Sequence, residues 1–240
     1  INAADINMIA SKKIYFGHQS VGYNIMDALT AMIPADSGLV IKETDNPDHF
    51  KKSVFAHSKN GENLEPQTKI ESFVRKMDSG LGNKADIALF KFCYVDVTAA
   101  TDVNTLFAEY KKAMDRLIKK YSKTVFLHVT VPVTTEEEGL KNKIKSVIKS
   151  LIGRKTGFEI DNIKRMEFNT LIKKEYNTKV FDLALFESST RAGKEILSQK
   201  GGVQHQALLK EYTTDGGHLN SEGSNYVVLN LVDFIVNQTK

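Results

Sequence analysis

A serine near the beginning of the chain stands where it could act as a nucleophile. The segment FGHQSVG, residues 16–22, places Ser20 after a short apolar run and directly before a stretch with helical periodicity. A helix N-terminus offers free backbone N–H groups and a positive dipole end, which stabilise a developing negative charge. Serine is also a preferred N-cap at such junctions, so Ser20 taken alone fits either a catalytic or a capping role.

A second segment with reactive residue types lies near the other end of the chain, at DGGHLNSEG, residues 215–223. An aspartate three residues before a histidine can fix the imidazole tautomer while the other ring nitrogen acts as a base. The alternative is an aspartate turn and a surface histidine ahead of a helix capped by Asn220 or Ser221. Together, Ser20, His218 and Asp215 are the groups that an activated serine nucleophile requires.

With these motifs the chain resembles the SGNH (GDSL-type) hydrolases, in which the serine follows the first strand and Asp-x-x-His precedes the terminal helix. DGGHLNSEG matches that last motif closely, and the order of elements matches along nearly the whole chain. GHQS is a variant of the usual Gly-Asp-Ser, and no Gly-x-Ser-x-Gly elbow surrounds Ser20. The resemblance implies a serine esterase that needs no cofactor, with Ser20, His218 and Asp215 as its catalytic residues.

The resemblance also implies that a glycine amide and an asparagine side chain join the Ser20 amide in binding the oxyanion. Gly61 is the expected glycine, although Asn60-Gly61 is equally a common turn pair. The family's Gly-x-Asn-Asp is CYVD here, and Val95 has no side-chain donor where the asparagine is expected. Loss of one oxyanion donor costs about 3 kcal/mol of barrier lowering. Replacement donors could be Tyr94, Lys91, Asn60 or Asn63, and the Tyr94 hydroxyl is the preferred one.

Other titratable residues near these motifs allow two interpretations each. His18 either helps to bind substrate or lines the wall of the cleft. Lys91 interrupts an apolar strand, so it is either a functional lysine or one that faces an edge or reaches solvent. We expect Asp96 to cap the next helix, His57 to lie in a surface loop, and His128 to be a hydrogen-bonded core residue. The spacing of the histidines and acidic residues predicts no metal site.

Predicted strands and helices alternate along the chain, and these elements must position the candidate site residues. Strands are predicted at Lys13–Gly17, Gly38–Lys42, Asp86–Cys93, Thr124–Val133 and Lys179–Leu183, where short β-branched or aromatic runs end in turn residues. Apolar stripes at helical spacing predict helices around Val21–Met32, Ile70–Met77, Val103–Tyr121, Leu140–Leu151 and Tyr226–Val236. This alternation predicts a three-layer α/β/α sandwich with a five-stranded parallel sheet, flavodoxin-like, in one domain spanning residues 1–240.

Composition narrows the class of protein further. The 240 residues, 41% apolar and 26% charged, suit one globular domain, and a single cysteine excludes an intramolecular disulfide framework. No apolar run approaches the ~20 residues of a membrane-spanning helix. A net charge of +4 with no tryptophan argues against a nucleic-acid partner.

The expected partner is a small-molecule or glycan ester, and the oligomeric state is left open. The start at Ile1 slightly favours export to the periplasm or the cell exterior.

A cluster of basic residues is predicted on one helix. Lys141, Lys143, Lys145, Lys149, Arg154 and Lys155 lie opposite its apolar stripe. They indicate a solvated face, with an anionic polymer or membrane surface as the alternative.

Two functions follow from the altered motifs. The resemblance allows acetyl groups on carbohydrates, short acyl esters, lipids or thioesters, and it favours acetyl esters of glycans. The alternative is a binding protein on the same fold that has lost catalysis and holds a glycan or an acyl chain. A nucleotide-binding protein is disfavoured, because no Gly-x-Gly-x-x-Gly or Walker-type loop follows a strand.

Overall fold

The computed structural model describes residues 1–137, 139–140, 142–144, 146 and 161–239. The helix predicted over Leu140–Leu151 therefore lies partly outside the described residues. Of the six basic residues predicted on it, only Lys143 is described.

A six-stranded parallel sheet forms the centre of the molecule. Its strands are β1 (Lys13–His18), β2 (Ile41–Glu43), β3 (Val54–Lys59), β4 (Ile87–Phe90), β5 (Val125–Val129) and β6 (Val180–Phe181), in the order β2-β3-β1-β4-β5-β6. Because β1 lies between β3 and β4, the loops at the carboxyl ends of these three strands are neighbours. In open α/β sheets, such a point of reversal in strand order is where ligands bind.

The prediction of five strands is wrong, since β3 is an additional strand. It pairs along the full length of β1, from Lys13 opposite Val54 to His18 opposite Lys59. Its sequence, VFAHSK, is polar in its second half, which conceals the strand from a search for apolar runs. His57 was expected in a surface loop, yet it is buried in this strand with a hydrogen bond to His18.

Seven α-helices with fully described bounds and a small hairpin surround the sheet, and residues 139–140, 142–144 and 146 are also helical. The helices are α1 (Ala3–Ala10), α2 (Val21–Met32), α3 (Pro66–Asp78), α4 (Val103–Lys120), α5 (Asn162–Tyr176), α6 (Leu183–Glu187) and α7 (Ser221–Asn237). Short 3-10 turns occupy Pro47–Lys51, Leu81–Asn83, Asn177–Lys179 and Lys210–Tyr212, and β7 (Leu197–Lys200) pairs antiparallel with β8 (Val203–Gln206). Helices α1, α2 and α6 pack on α7, while α3 and α5 pack on α4. The predicted α/β layering is confirmed.

Alternate residues of the strands supply two apolar cores, one on each face of the sheet. In β1, Ile14 and Phe16 pack in the cluster that contains Val228 of α7, and Tyr15 packs against Phe73 of α3. Successive side chains of a strand point to opposite faces, so burial of both faces requires an uninterrupted apolar run. None of the helices among the described residues is long and apolar enough to cross a membrane.

Candidate active site

Ser20 stands between β1 and α2 in a backbone conformation that few non-glycine residues adopt. Its φ is 55° and its ψ is −118°. Such a conformation costs on the order of 1–3 kcal/mol and is often found at functional sites. The Ser20 side chain makes no capping hydrogen bond to α2, and its Oγ lies 2.7 Å from Nε2 of His218. The hydroxyl is thus directed at an imidazole and does not cap the helix.

The turn before α7 holds His218 against Asp215. Nδ1 of His218 is 2.6 Å from Oδ2 of Asp215. The other carboxylate oxygen of Asp215, Oδ1, accepts hydrogen bonds from the backbone N–H groups of Gly217 at 2.9 Å and His218 at 2.8 Å. Burial acts to raise the pKa of Asp215, but these hydrogen bonds together hold it well below its ordinary value. An ionised Asp215 accepts the Nδ1 proton, which leaves Nε2 as the acceptor for the Ser20 hydroxyl.

Packing between two helices brings these distant segments together. Ser20 immediately precedes α2, the Asp215–His218 turn precedes α7, and α2 packs against α7 on one face of the sheet. The hydrogen-bonded pair Ser20 and His218 is separated by 198 positions in sequence. Asn220 caps α7 by accepting from the Gly223 N–H at 3.0 Å, which decides between the two capping residues expected there.

Two backbone amides in the loops that follow β1 and β3 lack an acceptor among the described residues. The N–H groups of Ser20 and Gly61 donate to no acceptor within the part of the chain that the structure describes. Gly61 has a φ of 66°, and a Cβ at this position would lie 2.6 Å from the Cα of Lys69. Only glycine can therefore bring the backbone this close to α3 in this conformation.

Tyr94 contacts the same site from the loop after β4. Its ring centroid lies 5.8 Å from that of His218 in an edge-on arrangement. A Cβ on Gly217 would come within 2.9 Å of the Tyr94 Cζ, so the glycine makes room for the ring. Desolvation raises the pKa of Tyr94 well above its ordinary value, and its buried hydroxyl has no hydrogen-bond partner among the described residues. The hydroxyl therefore stays protonated and can donate.

Three other predicted binding residues are hydrogen-bonded to neighbouring residues of the chain. The Asn60 side chain is fully buried and donates to the Lys69 carbonyl at 2.9 Å, and Asn63 Oδ1 accepts from Lys69 Nζ at 3.0 Å. His18 is wholly buried, with Nε2 3.0 Å from Nδ1 of His57, and desolvation lowers its pKa to about 2. A substrate-binding role for His18 does not fit this placement, since α2 covers its ring at Gly22.

Other titratable residues depart from their expected positions, with one exception. Lys91 neither faces an edge nor reaches solvent: it is fully buried, and its amine donates to the Phe92 carbonyl at 3.1 Å. Asp96 does not cap a helix, because Asp102 caps α4. His128 is a core histidine as predicted, and its Nδ1 lies 2.7 Å from the Tyr110 hydroxyl.

Two residues around the site were not anticipated from the sequence. The Gln19 side chain donates to the Gly61 carbonyl, and Lys69 of α3 is fully buried below the same loop. The sequence holds a signal for Lys69, because it lies four residues before Phe73 and hence on the apolar face of the helix. No comparable signal exists for Gln19, whose partner lies in another loop. Among the described residues, no three His, Cys, Asp or Glu side chains form a group suited to a metal ion.

Comparisons with known proteins identify shared structure. No family model matches the chain, and no curated protein matches it in sequence. A candidate platelet activating factor from Streptococcus pneumonia is 14% identical with a TM-score of 0.55, covering 97% of this chain and 90% of its own. A candidate G-D-S-L-family lipolytic protein from Desulfitobacterium hafniense is 10% identical, with a TM-score of 0.48 and coverages of 93% and 99%.

The periplasmic domain of a lipopolysaccharide acetyltransferase from Salmonella Paratyphi A is 11% identical, with a TM-score of 0.47 and coverages of 94% and 84%. At these identities the likeness concerns the fold alone. The chain therefore has the α/β fold of the pneumococcal protein, with a parallel central sheet flanked by helices.

Proposed function

We propose that this chain is a serine hydrolase that cleaves ester bonds through an acyl-enzyme. The observation that carries the proposal is the hydrogen-bonded series from Ser20 Oγ to His218 Nε2 at 2.7 Å and from His218 Nδ1 to Asp215 Oδ2 at 2.6 Å. A serine hydroxyl is a weak nucleophile unless an adjacent base accepts its proton, and a third group orients that base. Each of the three roles has a residue in this series.

The proposed reaction has two halves. In the first, Ser20 Oγ attacks the acyl carbonyl carbon while His218 Nε2 takes its proton, and the C–O bond to the alcohol then breaks. His218 returns the proton to the departing alcohol, which leaves the acyl group on Ser20. In the second, His218 deprotonates a water that attacks the acyl carbon, and Ser20 leaves with the proton. Asp215 stabilises the imidazolium in each half, and no cofactor takes part.

The oxyanion in this proposal is held by the Ser20 and Gly61 amides and by the Tyr94 hydroxyl. The dipole of α2 adds to the field at the Ser20 amide. Tyr94 replaces the side-chain donor that Val95 lacks, because its ring contacts His218 and its buried, protonated hydroxyl has no other partner among the described residues. Acetyl esters of carbohydrates are the substrates that we propose to test first.

Reaction with a fluorophosphonate tests the proposed nucleophile. We expect one covalent adduct on Ser20, mapped by mass spectrometry of the digested protein, and none in Ser20→Ala. Ser79→Ala is a matched control, since this exposed serine lies at the end of α3 and its hydroxyl donates to the Lys76 carbonyl. Labelling of Tyr94 or Lys91 in place of Ser20 would contradict the mechanism.

Replacing Tyr94 with phenylalanine tests the third donor. We expect kcat for p-nitrophenyl acetate to fall about 10²-fold with little change in KM, because an oxyanion donor acts on the transition state. Tyr121→Phe provides the control, since the hydroxyl of Tyr121 bonds Asp78 on α3. If Tyr94→Phe retains the full kcat, the third donor lies elsewhere.

A further inference from the structure

The loop of residues 60–64, called the Gly61 loop below, has a backbone conformation that is unfavourable at one of its non-glycine residues. Gly61 and Leu64 have φ values of 66° and 69°. A non-glycine residue in the left-handed region is strained, and it persists where the surrounding structure imposes it. The position of the Gly61 amide relative to Ser20 therefore depends on the side chains that hold this loop.

Gln19 holds the Gly61 loop from the side of the nucleophile. Its Nε2 donates to the Gly61 carbonyl and lies 3.4 Å from the carbonyl of Asn60. Gln19 immediately precedes Ser20 and its side chain is almost fully buried. One residue thus links the backbone of the proposed nucleophile to the backbone of the proposed oxyanion amide.

Lys69 holds the Gly61 loop from below. Its side chain is 0% exposed, and its Nζ lies 3.0 Å from Asn63 Oδ1, 3.4 Å from Asp96 Oδ2 and 3.6 Å from Cys93 Sγ. The Lys69 carbonyl also accepts a hydrogen bond from the Asn60 side chain at 2.9 Å. The ammonium and the carbonyl of this one residue therefore fix two members of the loop.

Asp96 ties the far end of the Gly61 loop to the segment that carries Tyr94. Its Oδ1 accepts from the Leu64 N–H at 2.9 Å and its Oδ2 from the Cys93 N–H at 2.6 Å. Its side chain is fully buried, like that of Lys69. The loops after β3 and β4 are thus joined through a single carboxylate.

A buried ion pair of this kind is a poor source of stability. Removing two charges from water costs several kcal/mol per ion, and apolar residues of similar volume often replace such pairs without loss. Every partner of Lys69 and Asp96 named above lies in the loops after β3 and β4, at the edge of the sheet where Ser20 stands. The contacts of the pair therefore indicate a role in the geometry of these loops.

We propose that Gln19, Lys69 and Asp96 are positioning residues that hold the Gly61 amide and the Tyr94 loop in register with Ser20. This inference rests on the proposed function. The three side chains connect the loops after β1, β3 and β4, so that the oxyanion donors are in place before the substrate arrives. Oxyanion donors that are already oriented need no rearrangement during the reaction.

Lys69→Met is the first test, because methionine keeps the length of the side chain and removes the ammonium. With p-nitrophenyl acetate we expect kcat to fall about 10²-fold while KM changes less than about 3-fold, since only transition-state binding is weakened. Affinity for an alkyl boronic acid, which forms a tetrahedral adduct with a serine, should fall by a similar factor. A residue that served stability alone would leave this affinity unchanged in the folded protein.

Leu117→Ala is the matched control for loss of stability, because Leu117 is fully buried in α4 within the core on the sheet face opposite α2 and α7. Both variants are assayed below their unfolding temperatures. If Lys69→Met does not fold, Lys69→Met/Asp96→Asn also removes the carboxylate that would be left without a counter-ion. Gln19→Met removes a neutral hydrogen-bond donor without changing the charge. From each of these we expect a loss in kcat of about 10-fold or more.

The outcomes separate this inference from the proposed function. If the folded variants keep kcat and boronate affinity within about 3-fold of the parent, or if KM alone rises, the positioning role is overturned. If the parent protein forms no Ser20 adduct with a fluorophosphonate, the proposed function itself fails and the inference fails with it.

Discussion

Ser20→Ala should lower kcat for p-nitrophenyl acetate by about 10⁴-fold or more, the largest effect expected of any single substitution. Alanine has no oxygen to form the acyl-enzyme, and only the oxyanion donors and substrate binding remain. Release of p-nitrophenol at saturating substrate measures the effect. Ser79→Ala should retain the rate of the parent protein.

Equal rates for the parent and Ser20→Ala would exclude serine catalysis. If neither protein exceeds the uncatalysed rate, the chain is a binding protein that keeps the fold, in line with the altered serine motif and with Val95. In that case a glycan or acyl ligand should bind the parent and Ser20→Ala with similar affinity, which calorimetry can measure.

Asp215→Asn should lower kcat by about 10⁴-fold while leaving the fold intact. An asparagine amide can donate to Nδ1 of His218, which would place the ring proton on Nε2, facing Ser20. In that tautomer the imidazole cannot accept the serine proton, although the three side chains keep their positions. The measurement is kcat for p-nitrophenyl acetate beside an unfolding curve for each protein.

A control for this substitution is Asp102→Asn. Asp102 caps α4 and accepts from the Thr105 N–H at 3.0 Å, so it shares the residue type and a backbone acceptor role with Asp215. We expect its kcat to equal that of the parent. A loss of less than about 10-fold in Asp215→Asn would contradict the proposed tautomeric role.

Hydrophobic periodicity predicted the helices and strands whose buried residues are themselves apolar. The predicted Val103–Tyr121 helix is observed as Val103–Lys120, because its apolar stripe forms the buried face of the helix. Strand β3 was missed because the partners of its polar residues are distant in sequence. Ser58 bonds Tyr15, and His57 bonds His18 of β1. A polar residue in a strand is buried only if such a partner exists. The local sequence pattern does not show whether the partner is there.

The residue types and spacing by themselves determined the groups that could react: a serine at a strand–helix junction and an Asp-x-x-His turn before the last helix. The tertiary structure alone decided that Ser20 contacts His218, because the packing of α2 on α7 closes a gap of 198 positions. The tertiary structure also buries Asn60 and His18 in the interior. It places Gln19, Lys69 and Asp96 around the Gly61 loop. Periodicity along a chain shows which face of an element is buried. The charge or hydrogen-bond partner that makes burial of a polar side chain tolerable comes from another element.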